Sequence, residues 1–390
     1  MHTNKNAPAD FVSVSGPPRQ NAASIRSPSA LVGLGLAGLL SAGLPGLAAA
    51  QDAPKPTYDF AGYVDAAYTH LSEGGLFANG FTLLGPNRVF DNQPDAFMLN
   101  QAALFANINA KEKFGAFVNL TAGSDANVIK SNGSTTDQFD VTQAYFRFQS
   151  GNTTFIAGKF VTLAGAEVID SRSMPVYSRS ILFGYAIPFT HTGVRATFAT
   201  SDKFGLSIGA NNGWDQMTDT NTDKTYELGI SVTPSMAFSL YANYYSGKEG
   251  PIGAEANREL FDVVVNVNVG EKLGITFNYD DATQKGAPGG LTLTDVDWSG
   301  WAAYLKYKLS DQWNLLLRTE DFDDSNGFRT GVTQKWKETT VAFAFSPAKS
   351  TEIRFEVRDD TSNANSFVNK NLTAAGDSQN SYAVEFLYKL

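Results

Sequence analysis

FDVVVNVNVGEKLGITFNYD, residues 261–280, alternates residue by residue on either side of a short turn. Phe261, Val263, Val265, Val267 and Val269 share one face, while Asp262, Asn266 and Asn268 share the other. After Gly270-Glu271, Leu273, Ile275, Phe277 and Tyr279 alternate with Thr276, Asn278 and Asp280. A period of two is that of a β-strand with unlike faces, so the stretch predicts an antiparallel hairpin. The pattern recurs at both ends of the chain. Phe60, Gly62, Val64, Ala66 and Tyr68 oppose Asp59, Tyr63 and Asp65; Ile353, Phe355 and Val357 oppose Arg354, Glu356 and Arg358.

Extended outward from that hairpin, the alternation predicts strands near 57–69, 97–109, 113–122, 139–149, 152–160, 192–200, 203–211, 224–233, 236–246, 258–269, 272–281, 297–309, 312–321, 336–346, 350–359 and 380–390. The connections alternate too. Short ones are Ala110-Lys111-Glu112, Ser150-Gly151, Ser201-Asp202, Pro234-Ser235, Gly270-Glu271, Ser310-Asp311 and Pro347-Ala348-Lys349. Long ones, rich in Gly, Asn, Asp and Ser, fall at 70–96, 123–138, 161–191, 212–223, 247–257, 282–296, 322–335 and 360–379. Short turns on one side and long loops on the other, with an even strand number, describe an all-β, 16-stranded antiparallel transmembrane barrel with both termini periplasmic. Side chains cannot fill a barrel of that size, so a water-filled interior is expected. A soluble half-buried sheet also alternates, but the second face here has too few core-filling residues for a sandwich.

Leu31 to Ala50 is an uncharged Gly/Ala/Leu stretch preceded by Arg19 and Arg26 and ending Leu47-Ala48-Ala49-Ala50-Gln51. It reads as a secretory signal peptide, residues 1–50, cleaved after Ala50; the rival is a membrane-spanning helix. Residues 51–56, with Pro54 and Pro56, read as a periplasmic leader, and 57–390 as the outer-membrane barrel of a Gram-negative bacterium. The whole chain has 390 residues and a net charge of −9, and segment 1–50 carries +2, leaving −11 on the remainder. That acidic balance argues against a nucleic-acid partner. With no cysteine, no disulfide or thiolate metal site is available. Tyr58, Tyr244, Tyr245, Trp298, Trp301, Tyr304, Tyr307, Trp313, Trp336, Tyr382 and Tyr388 sit near strand ends and are expected in interfacial girdles.

The third long loop, 161–191, reads VTLAGAEVIDSRSMPVYSRSILFGYAIPFTH. It is far less polar than the others, and Ile181-Leu182-Phe183 has no reason to face water. A loop folded inward against the wall does, which makes 161–191 the expected constriction; packing on a neighbouring subunit is the alternative. Glu167, Asp170, Arg172 and Arg179 would bring charge to it. Lys159, Arg195, Lys306, Arg318, Arg354 and Arg358 are the inward-facing basic residues, opposed by acids that include Asp65, Asp262, Asp280, Glu320 and Glu356. Mixed charge beside a narrow path biases ion choice. A salt-bridged wall without a selectivity role is the plainer reading of any one of them.

Signals of catalysis are thin. After the leader the only histidines are His70 and His191. His191 has Ser178 and Ser180 nearby in sequence, but no G-x-S-x-G elbow surrounds them. Glu320 to Gly327 is acidic, but it misses the spacing of a calcium loop and reads as a solvated hairpin tip. No cofactor or metal is expected.

Gly158-Lys159-Phe160, Gly165 to Asp170, Tyr177 to Ser180 and Phe183 to Gly193 resemble the OmpL-like, beta-barrel porin-2 group of outer-membrane proteins. The resemblance implies a channel and brings no established substrate. Outer-membrane barrels typically end in an aromatic; this chain ends in Leu390 behind Phe386 and Tyr388. The expected partners are lipid and lipopolysaccharide, small hydrophilic solutes or ions diffusing passively, the barrel-assembly machinery through Tyr382–Leu390, and copies of the chain in a homotrimer. Two other functions stay open: a closed structural or adhesive barrel, and an outer-membrane hydrolase using His191 and Ser180.

Overall fold

The computed structural model describes residues 57–73, 88–109, 113–289, 292–370 and 374–390. The expected signal peptide 1–50, the leader 51–56 and the turn 110–112 lie outside the described residues.

The sixteen expected strands are all present. They are β1 (Thr57–Leu71), β2 (Ala96–Asn109), β3 (Phe114–Ala122), β4 (Phe139–Ser150), β5 (Thr153–Val161), β6 (Thr190–Ser201), β7 (Phe204–Asn211), β8 (Thr225–Ser235), β9 (Phe238–Glu249), β10 (Ala256–Val269), β11 (Leu273–Gly289), β12 (Thr292–Lys308), β13 (Trp313–Asp324), β14 (Gln334–Ala348), β15 (Thr351–Ser362) and β18 (Ser378–Lys389). The small β16 (Phe367–Val368) and β17 (Ala375–Gly376) pair with each other in the last long connection. Each large strand pairs antiparallel with its neighbour in sequence, and β18 closes the ring by pairing with both β15 and β1. The closing register runs from Tyr63 opposite Lys389 to Leu71 opposite Ser381. Closure leaves no unpaired edge in the barrel, which is the condition for a sheet to sit in lipid.

The two faces are those the alternation implied. Along β14 buried and exposed positions alternate from Gln334 through Ala344, and on β15 Arg354, Glu356 and Arg358 are buried while Phe355 and Val357 are exposed. Outward positions form an apolar belt that includes Phe60, Phe261, Phe277, Phe343 and Phe386.

Two expectations are corrected. The connection 282–296 is not a long loop. β11 and β12 continue pairing as far as Gly289 opposite Thr292, so this hairpin extends beyond its neighbours as a ribbon. The aromatics also do not form one girdle. Tyr58, Tyr244, Trp301, Tyr307, Trp313, Tyr382 and Tyr388 are exposed on the outer face, but Trp298 is 1% exposed and Tyr245, Tyr304 and Trp336 are likewise buried on the inner one. One step along a strand reverses the face, and Tyr244 and Tyr245 show that reversal side by side.

Val341 lies midway along β14 on the outer face. Replacing it with Arg should lower stability in a bilayer by about 2–4 kcal/mol, read as a lower denaturant midpoint. An unchanged midpoint would mean that this face does not meet lipid.

Candidate functional site

A short helix, α1 (Ala126–Ile129), lies in the second long connection. Segment 161–191 has little regular structure of its own: a 3-10 turn at Ser171–Ser173 and a short helix, α2, at Ile181–Tyr185. Its backbone N–H groups therefore need acceptors from elsewhere, and inner-face carboxylates supply many of them. Gly165 donates to Asp262 (3.0 Å) on β10, and Ala166 to the amide oxygen of Asn278 (2.8 Å) on β11. Tyr177 and Ser178 donate to Glu356 (2.8 and 3.1 Å) on β15. Ile181 and Leu182, at the start of α2, donate to the two oxygens of Glu320 (2.8 and 3.0 Å) on β13. Carbonyls of the segment are met in turn by Gln101 on β2 at Ile169, Arg354 at Ser171, Arg318 at Ser178, Arg358 at Arg179 and the Trp298 indole at Ala186.

The stem is closed by a hydrogen bond from Thr162 N–H to the Phe189 carbonyl and by Asp215, whose carboxylate accepts from Phe189 and Thr190. Starting from a stem between β5 and β6, the segment reaches β13, which lies eight strands from β5 in either direction around the ring of sixteen. Its apolar residues Ile181, Leu182, Phe183, Ala186, Ile187 and Phe189 join Trp298, Phe322 and Trp336 in the largest buried apolar cluster. Two glycines fit this packing. Gly165 has φ +92°, and a Cβ there would fall 2.6 Å from Ile187; a Cβ at Gly300 on β12 would fall 2.8 Å from Leu182.

The nine expected charged site residues divide into two groups. Arg318 is wholly buried, with Glu338 at 3.0 Å, Glu167 at 2.9 Å and the Ser178 carbonyl at 2.7 Å. Glu167 also accepts from Ser180 N–H and from the Tyr304 hydroxyl. Arg358 pairs with Asp360, Arg354 with Glu385 and Glu352, Arg195 with Glu227, and Lys159 with Asp140, all with little exposure of the basic side chain. Arg179 is buried and donates to the Tyr177 and Ile169 carbonyls. These seven side chains are buried, not wetted. Each basic group meets an acid or carbonyl close by, and Arg318, Arg354, Arg358 and Arg195 donate to carbonyls of segment 161–191. Asp170 and Arg172 form the second group: they pair at 2.6 Å and each side chain stays 26% exposed. The Arg172 guanidinium lies 4.3 Å from the Phe105 ring.

Two cavities border the segment, of about 510 and 610 Å³. Asp59, Phe105, Asn107, Asn119 and Asp170 are among the residues lining the first; Ser239, Asn266, Thr276, Lys306 and Lys389 are among those lining the second. Arg172 and Ser173 line both. Lys306 has no carboxylate within ion-pair distance among the described residues.

Two other sequence readings meet the structure here. His191 stacks on Tyr245 and places Nδ1 3.2 Å from the Gly213 carbonyl, whereas the Ser180 hydroxyl caps α2 by accepting from Phe183 N–H. The two side chains serve separate neighbours. Asp324, expected at a solvated tip, is buried and accepts from the N–H groups of Phe328, Arg329 and Thr330. Arg88 escaped the sequence reading altogether: it is buried and binds Asp91 and Asp360, each at 2.6 Å. A lone arginine in a long loop carries no periodicity that would have marked it.

Removing one partner of a buried pair leaves the other charge uncompensated. Arg318→Ala should lower unfolding stability by about 3–5 kcal/mol, and Arg318→Met with Glu338→Gln should lose less than the two single changes together. Strict additivity of the two changes would show that the contacts are not coupled.

Among known proteins, the family model described as "Putative beta-barrel porin-2, OmpL-like" matches residues 57–390. Among solved structures, the fold is similar to the outer-membrane channel DcaP of Acinetobacter baumannii (TM-score 0.59, 12% identity, 86% of this chain and 98% of that one). It is also similar to an anion-selective porin from Comamonas acidovorans (TM-score 0.60, 10% identity, 86% and 100%). A third likeness is to the trimer form of OmpT, an outer-membrane protein of Vibrio cholerae (TM-score 0.57, 13% identity, 86% and 100%). No match was found among curated protein sequences. The closed barrel, its outward apolar belt and a family match over its whole length lead to one assignment: the chain belongs to the OmpL-like beta-barrel porin-2 family of Gram-negative outer-membrane porins.

Proposed function

We propose that this porin passes small hydrophilic solutes or ions by passive diffusion, and that segment 161–191 crosses the lumen and sets the size limit. The observation that carries the reading is the reach of the segment: hydrogen bonds from a stem at β5 and β6 to the strand diametrically opposite. The solute path follows the two cavities and passes Arg172 and Ser173, which border both.

Charge preference comes from groups that face these cavities, not from the buried pairs. Asp170 and Arg172 offset each other, which leaves Asp59 on the first cavity and Lys306 on the second; Lys306 carries the larger weight in this proposal and so gives a preference for anions. The Comamonas acidovorans porin, described as anion-selective, agrees with that sign. Neutralised wall residues such as Arg318, Arg354 and Arg358 hold the segment in place and influence selectivity only through it.

Passive diffusion calls for no cofactor and no catalysis, and the separate duties of His191 and Ser180 give a hydrolytic reading no support. A homotrimer is the proposed assembly, as in the trimer form of the Vibrio cholerae protein. The strand Tyr382–Leu390, whose neighbours are β15 and β1, is the proposed signal to the assembly machinery.

Planar-bilayer recording of the refolded chain 51–390 in a salt gradient tests the proposal. Stable conductance steps with a reversal potential on the anion side are expected. Lys306→Gln should move that potential toward cations, and Asp170→Asn, which frees Arg172, should move it toward anions. A folded protein that passes no current contradicts the channel reading; potentials indifferent to both changes contradict this placement of the selective charges.

A further inference from the structure

Asp262 on β10 and Asp280 on β11 are register partners in an antiparallel pair. Both side chains project from the inner face, and both residues are at most 1% exposed. Side chains directly opposite across antiparallel strands have Cβ atoms about 4.5–5.5 Å apart. The two carboxylates therefore stand next to each other, away from water.

They are not equally served. Asp262 accepts from Gly165 N–H with both oxygens and from the amide of Asn243. Asp280 is fully buried, and neither of its oxygens has a hydrogen-bond partner. Register pairing surrounds the two with Asn243 on β9, Leu260 and Val264 on β10, Asn278 and Ala282 on β11, and Gly300 on β12. None of these is basic, and the residues that segment 161–191 brings here, Leu163, Gly165, Ala166 and Leu182, carry no charge. Other buried carboxylates have at least one partner, a guanidinium, an ammonium, backbone amides or, as at Asp65 and Asp125, a hydroxyl or side-chain amide; Asp280 is the one carboxylate of the described residues with both oxygens buried and unpartnered.

An unpaired carboxylate is costly to bury, and a second carboxylate beside it adds repulsion. A cation between the two removes both costs. The donors that the pair offers are carboxylate oxygens alone, which suits a hard ion and not a thiolate- or imidazole-seeking metal. Two negative charges match one divalent cation of the calcium class.

We propose that Asp262 and Asp280 form a calcium-class cation site in the barrel wall, behind residues 163–166. The site stands independently of whether 161–191 limits the pore. Its consequence is local: the cation fixes the carboxylate that holds Gly165 and lies beside Asn278, which holds Ala166, so it tightens the first anchor of the segment.

The test uses the refolded chain 51–390 in detergent, stripped with a chelator and titrated with CaCl₂, with MgCl₂ in a parallel series. The site predicts one calorimetric binding event for Ca²⁺ and a rise in the thermal midpoint by several degrees. Asp280→Asn should abolish both responses, and without calcium it should unfold at a higher temperature than the parent, because it removes the unpaired charge. Asp262→Asn serves as the second variant if the first fails to refold. Three outcomes overturn the site: no calcium response in the parent chain, an equal response in Asp280→Asn, or a midpoint that follows pH and ignores calcium. The last would mean that the two carboxylates share a proton instead.

Discussion

The structure depends on a line of buried ion pairs that ties segment 161–191 to three adjacent strands. Arg88 binds Asp360, Asp360 binds Arg358, Arg358 faces Glu338 at 3.8 Å, Glu338 binds Arg318, and Arg318 binds Glu167 of the segment. Ions out of water are tolerated only when attraction and hydrogen bonding replace what hydration gave. Arg318 meets that condition: its guanidinium also reaches the Ser178 carbonyl and hydroxyl and the Thr340 hydroxyl. Because each charge is shared by two neighbours, the loss of one exposes the next, and the segment and the wall behave as one unit.

This arrangement explains why the inner wall is so rich in acids. A segment with only one turn of 3-10 helix and one short helix leaves many N–H groups without internal partners. Glu320, Glu356 and Asp262 accept them, much as a capping residue serves a helix terminus. Those carboxylates look like pore charges when read along a strand, yet their work is structural. In the proposed channel the charges left to meet a solute are fewer and lie beside the cavities: Asp59, the Asp170–Arg172 pair and Lys306.

Much of the fold was legible in the sequence, because a barrel writes its geometry as a strict period of two. Phe261 to Val269 and Ile353 to Arg358 announced which side chains face outward, and the run of short and long connections announced closure. The apolar Ile181-Leu182-Phe183 marked 161–191 as the loop unlike the others. What the sequence could not carry was pairing across the barrel. That Arg318 meets Glu167, 151 residues away, or that Arg88 meets Asp360, depends on the path of loops with no period. The buried Tyr245, Trp298, Tyr304 and Trp336 were missed for a related reason: aromatic residues near strand ends suit an interfacial belt and an inner cluster equally, and only parity tells them apart. The extension of β11 and β12 was hidden because Gly286, Pro288 and Gly289 look like loop residues.

The most direct test of a wall-clamped segment standing in the solute path exploits the absence of cysteine. Ser173, which lines both cavities, is replaced by Cys, and a charged methanethiosulfonate, which forms a mixed disulfide and releases sulfinate, is added during single-channel recording. If 161–191 narrows the pore, each modification lowers the current in a discrete step that a reducing agent reverses. Complete labelling that leaves the conductance unchanged would place the segment outside the path and contradict this reading.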